Sequence, residues 1–597
     1  MTSNRKDLPD PSRRTFLGAG GILLGANLMP AAAAPSAPAG GLAPMQLPAQ
    51  APKAPPPGYN ILFVFVDQEH FFDKWPFPVP GREYLKANGT LFTNHQAASQ
   101  VCSPARSTVY TGQHIQHTGV FDNMEAPWQP NMSTGVTTIG HRLQQLGYHA
   151  AYQGKWHLSQ NIDAAKIPID ASLLRNNEII ASYGFEDFLG FGDLIDGPLG
   201  GYSYDDFSTA SAVTWLRTTA QDLKAQDRQW FMAVNLVNPH DVMYVDSDLP
   251  GETVQGKGQL MYPIKRPPLN DLYSAEWDVP LPSTRHQPFD APGRPAAHLQ
   301  YQLTENVIVG QWPDEDRRWR LLQNYYFNCI RDCDTHVVKL LEALKANGLD
   351  DSTIVVFTAD HGELGGAHQM RGKGSTTYKE QNHVPLIIMH PAYPGGMRTQ
   401  AVTSQIDIAP TLLALTGKPA DAVARASAGL KGRDLTPILS APAQASPTAV
   451  RPAALFNYNM FTYLDAAWFG RLQTLTESHQ PFVMKAMRAL EMEPDWKYRG
   501  AIRSVFDGRY RFARYFSPVN FNRPVTLEAL FANNDVEVYD LQNDLDETYN
   551  MALDLKTNAE LIMALNTVLN ERIDEEVGVD DGRFLPLIGG HWYPKAL

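Results

Sequence analysis

Four short runs of apolar, β-branched and aromatic residues each stop abruptly at side chains that bind metals or move protons, and this pattern restricts the fold more than any other feature of the chain. Residues 60–66 (NILFVFV) end at Asp67-Gln68, and residues 353–358 (TIVVFT) lead to Asp360-His361. Residues 231–237 (FMAVNLV) lead through Asn238-Pro239 to His240, and a weaker run, 149–152, leads to Gly154-Lys155-Trp156-His157. A run that is apolar at nearly every position, instead of at every second one, suits a strand buried on both faces of a parallel sheet. Helical periodicity over 137–146, 209–226 and 318–347 falls between these runs. Alternating strands and helices predict an open α/β sheet with parallel strands. Such sheets bind ligands beyond the carboxyl ends of their strands. If the four strands are parallel neighbours, Asp67, Lys155, His157, His240, Asp360 and His361 meet in one crevice. Taken singly, each has an ordinary reading, since a strand-terminal Asp often caps a helix and a lone His usually sits on the surface or satisfied in a core. Six converging residues point to a site.

The 597 residues divide unevenly. Ser12-Arg13-Arg14-Thr15-Phe16-Leu17 precedes a Gly-rich apolar stretch and then Ala31 to Ala34, an arrangement that resembles a twin-arginine export signal. The apolar stretch is shorter than the ~18 residues of a spanning helix, so stable membrane insertion is not expected. Residues 1–34 therefore read as a signal peptide, and the protein as periplasmic or secreted with the twin-arginine machinery as a partner. Residues 35–57, mostly Ala, Pro and Gly, read as a semi-stiff linker. Residues 58–445 read as the catalytic domain. Within them, 243–317 is rich in Pro, Asp and Gly and reads as a long excursion over the sheet, of the kind that often binds ligands. Residues 446–597 read as a smaller α+β subdomain. There 501–506 and 509–515 alternate around Asp507-Gly508, a hairpin signal, followed by a strand at 536–541 and a helix at 555–573. Acidic residues outnumber basic ones by 63 to 50, a formal charge of -13 that argues against nucleic acid as a partner. Three cysteines provide no disulfide framework, and Cys329 and Cys333 read as core thiols on a helix.

Cys102 has a different setting. In Cys102-Ser103-Pro104-Ala105-Arg106-Ser107-Thr108-Val109-Tyr110-Thr111-Gly112, Pro104 suits the first turn of a helix. That places Cys102 at the positive helix end with Arg106 roughly on its face. The residues by themselves allow a low-pKa thiolate nucleophile or a small buried capping residue.

Cys102-x-Pro104-x-Arg106 with Thr111-Gly112 resembles the signature of the formylglycine-dependent sulfatases, a branch of the alkaline phosphatase superfamily. Gly147 to His157 resembles the second family signature, and Asp360-His361-Gly362-Glu363 the metal-binding motif. Gly372-Lys373-Gly374, residues 406–411, and Val538-Tyr539-Asp540-Leu541 with Asp546, Glu547 and Asn550 follow in the family's order. The likeness covers roughly 58–552 and implies an alkaline-phosphatase-like, mostly parallel sheet flanked by helices. It further implies a sulfuric ester hydrolase acting on a small-molecule or carbohydrate sulfate. Cys102 would be oxidised to formylglycine by a formylglycine-generating enzyme. One hydroxyl of the hydrated aldehyde would attack sulfur, and the second would expel the sulfate. Asp67, Gln68, Asp360 and His361 would hold the metal, Ca2+ by family likeness with Mn2+ or Mg2+ as alternatives. Arg106 and Lys155 would stabilise the nucleophile's charge, and His157 would accept the second hydroxyl's proton. His240 and Lys373 would hold sulfate oxygens, one of them protonating the leaving oxygen.

Two departures stand out. Asp67-Gln68 replaces the Asp-Asp common in the family, a pattern shared with choline-sulfatase-like and phosphonate-hydrolase-like members. Lys379 and His383 stand where relatives commonly carry an acidic pair and an Arg, which makes Lys379 a rival to Lys373. The alternatives are a phosphonate monoester or phosphodiester hydrolase with the same nucleophile, and a non-catalytic binding protein with unmodified Cys102.

Overall fold

In the computed structural model the described residues are 42 and 45–592, except 163–168, 191–196, 259, 480–491 and 589–590. The proposed signal peptide lies outside them, and residues from 42 onward form one unit. Its centre is a seven-stranded sheet in the order β3-β4-β1-β5-β6-β2-β7. The strands are β1 (Asn60–Asp67), β2 (Thr90–Gln96), β3 (His149–Gly154), β4 (Trp230–Pro239), β5 (Thr353–Ala359), β6 (Leu386–Met389) and β7 (Met397–Ser404). The four strands expected from sequence are consecutive neighbours, all parallel. β6 runs antiparallel to both β5 and β2, and β7 is parallel to β2.

The double-sided burial of β1 explains its unbroken apolar run. Leu62, Val64 and Val66 enter one cluster with Trp319, Ile330, Val337 and Leu344 of the Asp316–Ala346 helix. Ile61, Phe63 and Phe65 enter the opposite cluster with Val109 and Tyr110 of the Cys102–Thr111 helix and Leu412 of the Ile408–Leu415 helix. Each of these apolar side chains contributes about 1.5–3 kcal/mol on burial, so both helical layers hold the sheet in place. Cys329 and Cys333 are buried in the first cluster, as expected of core thiols.

A second, antiparallel sheet has the order β11-β10-β9-β8, with β8 (Ala454–Tyr458), β9 (Ala501–Phe506), β10 (Tyr510–Phe516) and β11 (Asp535–Asp540). Phe512, Val505 and Leu455 pack on Ile562, Leu565 and Leu569 of the Leu555–Glu576 helix. The sheet also meets the segment just before Cys102, where the Asn457 N–H donates to the Ala98 carbonyl at 3.0 Å and the Ser99 hydroxyl to the Asn457 carbonyl at 2.7 Å.

Three expectations are corrected. Residues 42 and 45–57 are not simply a linker: Leu42 and Met45 pack against the core, and Ala51 against the opposite cluster. The few apolar side chains of this proline-rich run suffice to hold it against the body ahead of Gly58. The 243–317 excursion contains a helix, Ala296–Val309, whose buried residues Ala297, Tyr301, Glu305 and Ile308 recur at helical spacing. The helix expected at 209–226 starts earlier and breaks, as Gly200–Arg217 and Thr219–Ala225.

Candidate active site

Because β3, β4, β1 and β5 are parallel neighbours, their carboxyl ends open on one crevice. Asp67 closes β1, Asp360 follows β5, His240 follows β4, and Lys155 and His157 follow β3. Asp360 Oδ1 accepts from the backbone N–H groups of Gln68 at 3.0 Å and His361 at 2.9 Å, which joins the two metal-type pairs directly.

The Cys102–Thr111 helix enters from the other layer with Cys102 as its first residue, and Gly112 ends it in the left-handed conformation (φ 66°) with its N–H bonded to the Thr108 carbonyl. Cys102 Sγ lies 3.5 Å from Asp67 Oδ1 and 3.2 Å from His361 Nε2, with the His157 and His240 imidazoles close enough to influence its charge. Arg106 serves mainly as a buried clamp. Its Nη2 donates to the Lys155 carbonyl and to Asn235 Oδ1, both at 2.7 Å, and its Nε to the Trp156 carbonyl at 3.2 Å. Only Nη1 faces the carboxylates, 3.5 Å from Asp360 Oδ2 and 3.8 Å from Asp67 Oδ2.

Lys155 Nζ pairs with Asp67 Oδ2, and Lys373 Nζ donates to Gln68 Oε1. Gln68 Nε2 donates to Glu363 Oε2 at 2.5 Å, so both ends of this amide are held. His157 Nε2 meets Glu125 Oε1 at 2.6 Å. His240 is buried, 5.6 Å from the Tyr244 ring, and its Nδ1 has no protein partner. All ten residues singled out from sequence are buried and gather here, Cys102, Arg106, Lys155, His157, His240 and Lys373 with Asp67, Gln68, Asp360 and His361. Lys379 does not: its Nζ reaches Asp546 Oδ1 at 2.8 Å and the Leu545 carbonyl. His383 stacks on Phe71 with ring centroids 4.3 Å apart.

Charges in this space are strongly coupled. Burial pushes the Cys102 thiol up, but Lys155, Lys373 and His361 outweigh it and hold the thiol well below its ordinary value. Burial and the Asp67 charge push Asp360 up to about 7, whereas Lys155, His240 and His361 hold Asp67 below the usual carboxylate range against burial and Cys102. Burial, with Lys373 and Lys155 nearby, lowers His240 to about 4. In His157 the cost of burial is exceeded by Glu125, which raises it to about 10.

The donor set fits a divalent cation. Ligand atoms of Asp67, Cys102, Asp360 and His361 lie within 4.8 Å of one another. Two fully buried carboxylates, one of them driven toward neutrality by the other, are the arrangement a divalent charge balances. Two carboxylates in the set favour a hard cation.

Three contributors escaped the sequence reading. Asn235, a lone polar residue in an apolar strand, accepts from Arg106 and from the Tyr110 hydroxyl at 2.5 Å; its polarity within that run was a signal. Glu363 orients Gln68 from within a motif read for its Asp and His. Glu125 carried no local signal.

The family model for sulfatases matches residues 60–418. Among curated proteins, the chain is 25% identical to the uncharacterized sulfatase YidJ of Escherichia coli over 60% of this chain and 67% of that protein. It is 25% identical to arylsulfatase K of Danio rerio over 61% and 63%, and 25% identical to a choline-sulfatase of Rhizobium meliloti over 67% and 75%. The match thus spans about two thirds of the length of these relatives. Among solved structures, a 2-O GAG sulfatase superposes with TM-score 0.60 at 18% identity, covering 87% of this chain and 92% of the other. A phosphonate monoester hydrolase from Silicibacter pomeroyi gives 0.57 at 19% identity over 87% and 96%. At these identities the structural likeness establishes the fold.

Proposed function

This chain belongs to the sulfatase family of the alkaline phosphatase superfamily, and from that premise we propose that it hydrolyses an organic sulfate ester to an alcohol and sulfate with Cys102 matured to formylglycine. The observation that carries the reading is the gathering of Cys102 with Asp67, Asp360 and His361 inside 4.8 Å, ringed by Lys155, Lys373, His157 and His240.

A sulfate ester is anionic and repels nucleophiles, so the site must offset negative charge and regenerate its nucleophile. A hydrated aldehyde at position 102 supplies two hydroxyls, one to attack sulfur and one whose deprotonation releases the sulfate and restores the aldehyde. Asp67, Gln68, Asp360 and His361 would hold a divalent cation, proposed to be Ca2+, which would supply a Lewis acid there. Lys155 steadies Asp67 and the developing charge at position 102. Arg106 fixes the backbone at Lys155 and Trp156 and so aims both Lys155 and His157. His157 accepts the proton of the second hydroxyl, and Lys373 with His240 contacts sulfate oxygens and serves the leaving group. Residues 1–34 are proposed to direct export of the folded protein through the twin-arginine route to the periplasm or beyond.

The test uses protein made alongside a formylglycine-generating enzyme. The tryptic peptide containing Cys102 is expected to react with a hydrazide and resist alkylation, and the protein to release sulfate, an activity lost in Cys102→Ala. Matched aryl sulfate and aryl phosphonate esters are expected to show the higher kcat/KM for sulfate. Clean alkylation of Cys102 in active protein, or a preference for phosphonate, would refute the assignment.

A further inference from the structure

Glu125 lies on the turn after the short Ile115–Thr118 helix, remote in sequence from all four strand ends. Its Oε1 is 2.6 Å from His157 Nε2, and the same imidazole lies near enough to Cys102 to help hold its thiol down. The His157 side chain is 5% exposed and that of Glu125 30%, so the carboxylate stands on the solvent side of the imidazole.

The turn is fastened at both ends of this arrangement. The Ser103 N–H, next to Cys102, donates to Asn123 Oδ1 at 3.2 Å, and the Met124 N–H donates to the Ser103 hydroxyl at 3.3 Å. The Gln160 amide donates to the Met124 carbonyl on the far side, just beyond His157. Buried Asp122 accepts from Trp128 Nε1 at 2.8 Å, from the N–H groups of Phe461 and Thr462 at 3.0 and 3.1 Å, and from the Thr462 hydroxyl at 2.9 Å. Glu125 is thus held in register with both the nucleophile helix and the segment after β3. A carboxylate so placed on one nitrogen of an imidazole holds the proton there and stabilises the imidazolium, so the other nitrogen acts as base from the neutral fraction of the ring, which grows as pH rises toward the raised His157 value.

We propose that Glu125 is the positioning residue of His157: it fixes Nε2 as the proton-bearing nitrogen and turns the other ring nitrogen toward residue 102. The inference rests on the sulfatase reading for its chemical consequence and not for its geometry. In the second half of the reaction, that nitrogen takes the proton of the free hydroxyl at position 102. The O–H electron pair becomes the second C–O bond of the aldehyde. The bond from the same carbon to the sulfate-bearing oxygen breaks, and sulfate departs with that pair. Water then rehydrates the aldehyde.

The experiment compares mature wild type with Glu125→Gln and Glu125→Asp at equal formylglycine and metal content, using 4-nitrophenyl sulfate. Glu125→Gln is expected to lower kcat by about 10²-fold with KM changed less than about threefold, the range seen when a partner behind an active histidine is removed. Because the first half of the reaction does not use His157, the variant is expected to release a burst of about one nitrophenol per site before a slow steady state. Glu125→Asp is expected to recover part of the loss. Independently of activity, the 15N spectrum of histidine-labelled wild type, with His157 identified by its disappearance in His157→Gln, is expected to show a proton on Nε2. An unprotonated Nε2 in wild type overturns the proposal even if the variants fail to fold, and so does wild-type turnover without a burst in folded Glu125→Gln. Mature wild type that cleaves no sulfate ester refutes the sulfatase reading instead, leaving the spectrum to decide the position of the proton.

Discussion

Lys373 and Lys379 belong to one short segment and are interchangeable by charge, yet they meet different surroundings. Lys373 is buried against the Gln68 amide beside the Cys102 cluster, whereas Lys379 pairs with Asp546 at 2.8 Å and is 27% exposed. The Lys379 ammonium is engaged with Asp546 and the Leu545 carbonyl away from the Cys102 cluster, in a surface pair that contributes about 0–1 kcal/mol to stability. Lys373→Ala is expected to reduce kcat/KM by about 10²-fold or more, the scale for losing a cation aimed at developing charge. Lys379→Ala is expected to remain within about threefold of wild type; parallel steady-state assays on a sulfate ester decide the point. Sequence placed both lysines near the right motif. It had no means of stating which side chain turns inward, because that depends on the position of Asp546, far along the chain.

At the scale of elements, the site depends on how closely β3 and β4 run where they end. Gly154 closes β3 with φ 86°, and a Cβ there would lie 2.0 Å from the Asn235 carbonyl oxygen of β4. The next N–H, that of Lys155, donates to the same carbonyl at 3.1 Å. Gly154→Ala is therefore expected to cost about 2–3 kcal/mol, combining a left-handed backbone penalty with the separation of two strands. It also moves Lys155 and His157 off their partners. Thermal unfolding and kcat measured on the same preparation are expected to fall together. The hairpin of β9 and β10 was legible because Asp507-Gly508 dictates a local turn. β2 and β7 were not, since strands of mixed polarity resemble loops until their neighbours are known, and β6, four apolar residues, is too short to stand out as a strand.

Across the whole molecule, one buried ion cluster joins elements that lie far apart in the chain. Arg451, preceding β8, binds Asp407 through Nη2 and through Nε at 3.1 Å, and Glu576 through Nη1 at 2.7 Å. Glu576 in turn meets His114, just after the nucleophile helix, at 2.9 Å. Arg451→Met leaves two carboxylates buried without their cation and is expected to destabilise the protein by about 3–5 kcal/mol, read from denaturant unfolding. What sequence determined by itself was local: four doubly buried strands, the ligand-type residues at their ends, and the Cys102 helix with its Pro104 and Gly112. These are written within windows of about ten residues, because burial on both faces and helix termini leave compositional marks. Only the tertiary structure decided that β3, β4, β1 and β5 are neighbours, that Lys373 and not Lys379 faces the cluster, that Arg106 is a clamp, and that Glu125 stands behind His157. Each of these depends on contacts between distant parts of the chain. Such partners are chosen by packing of the finished sheet and layers, which no single stretch of sequence records.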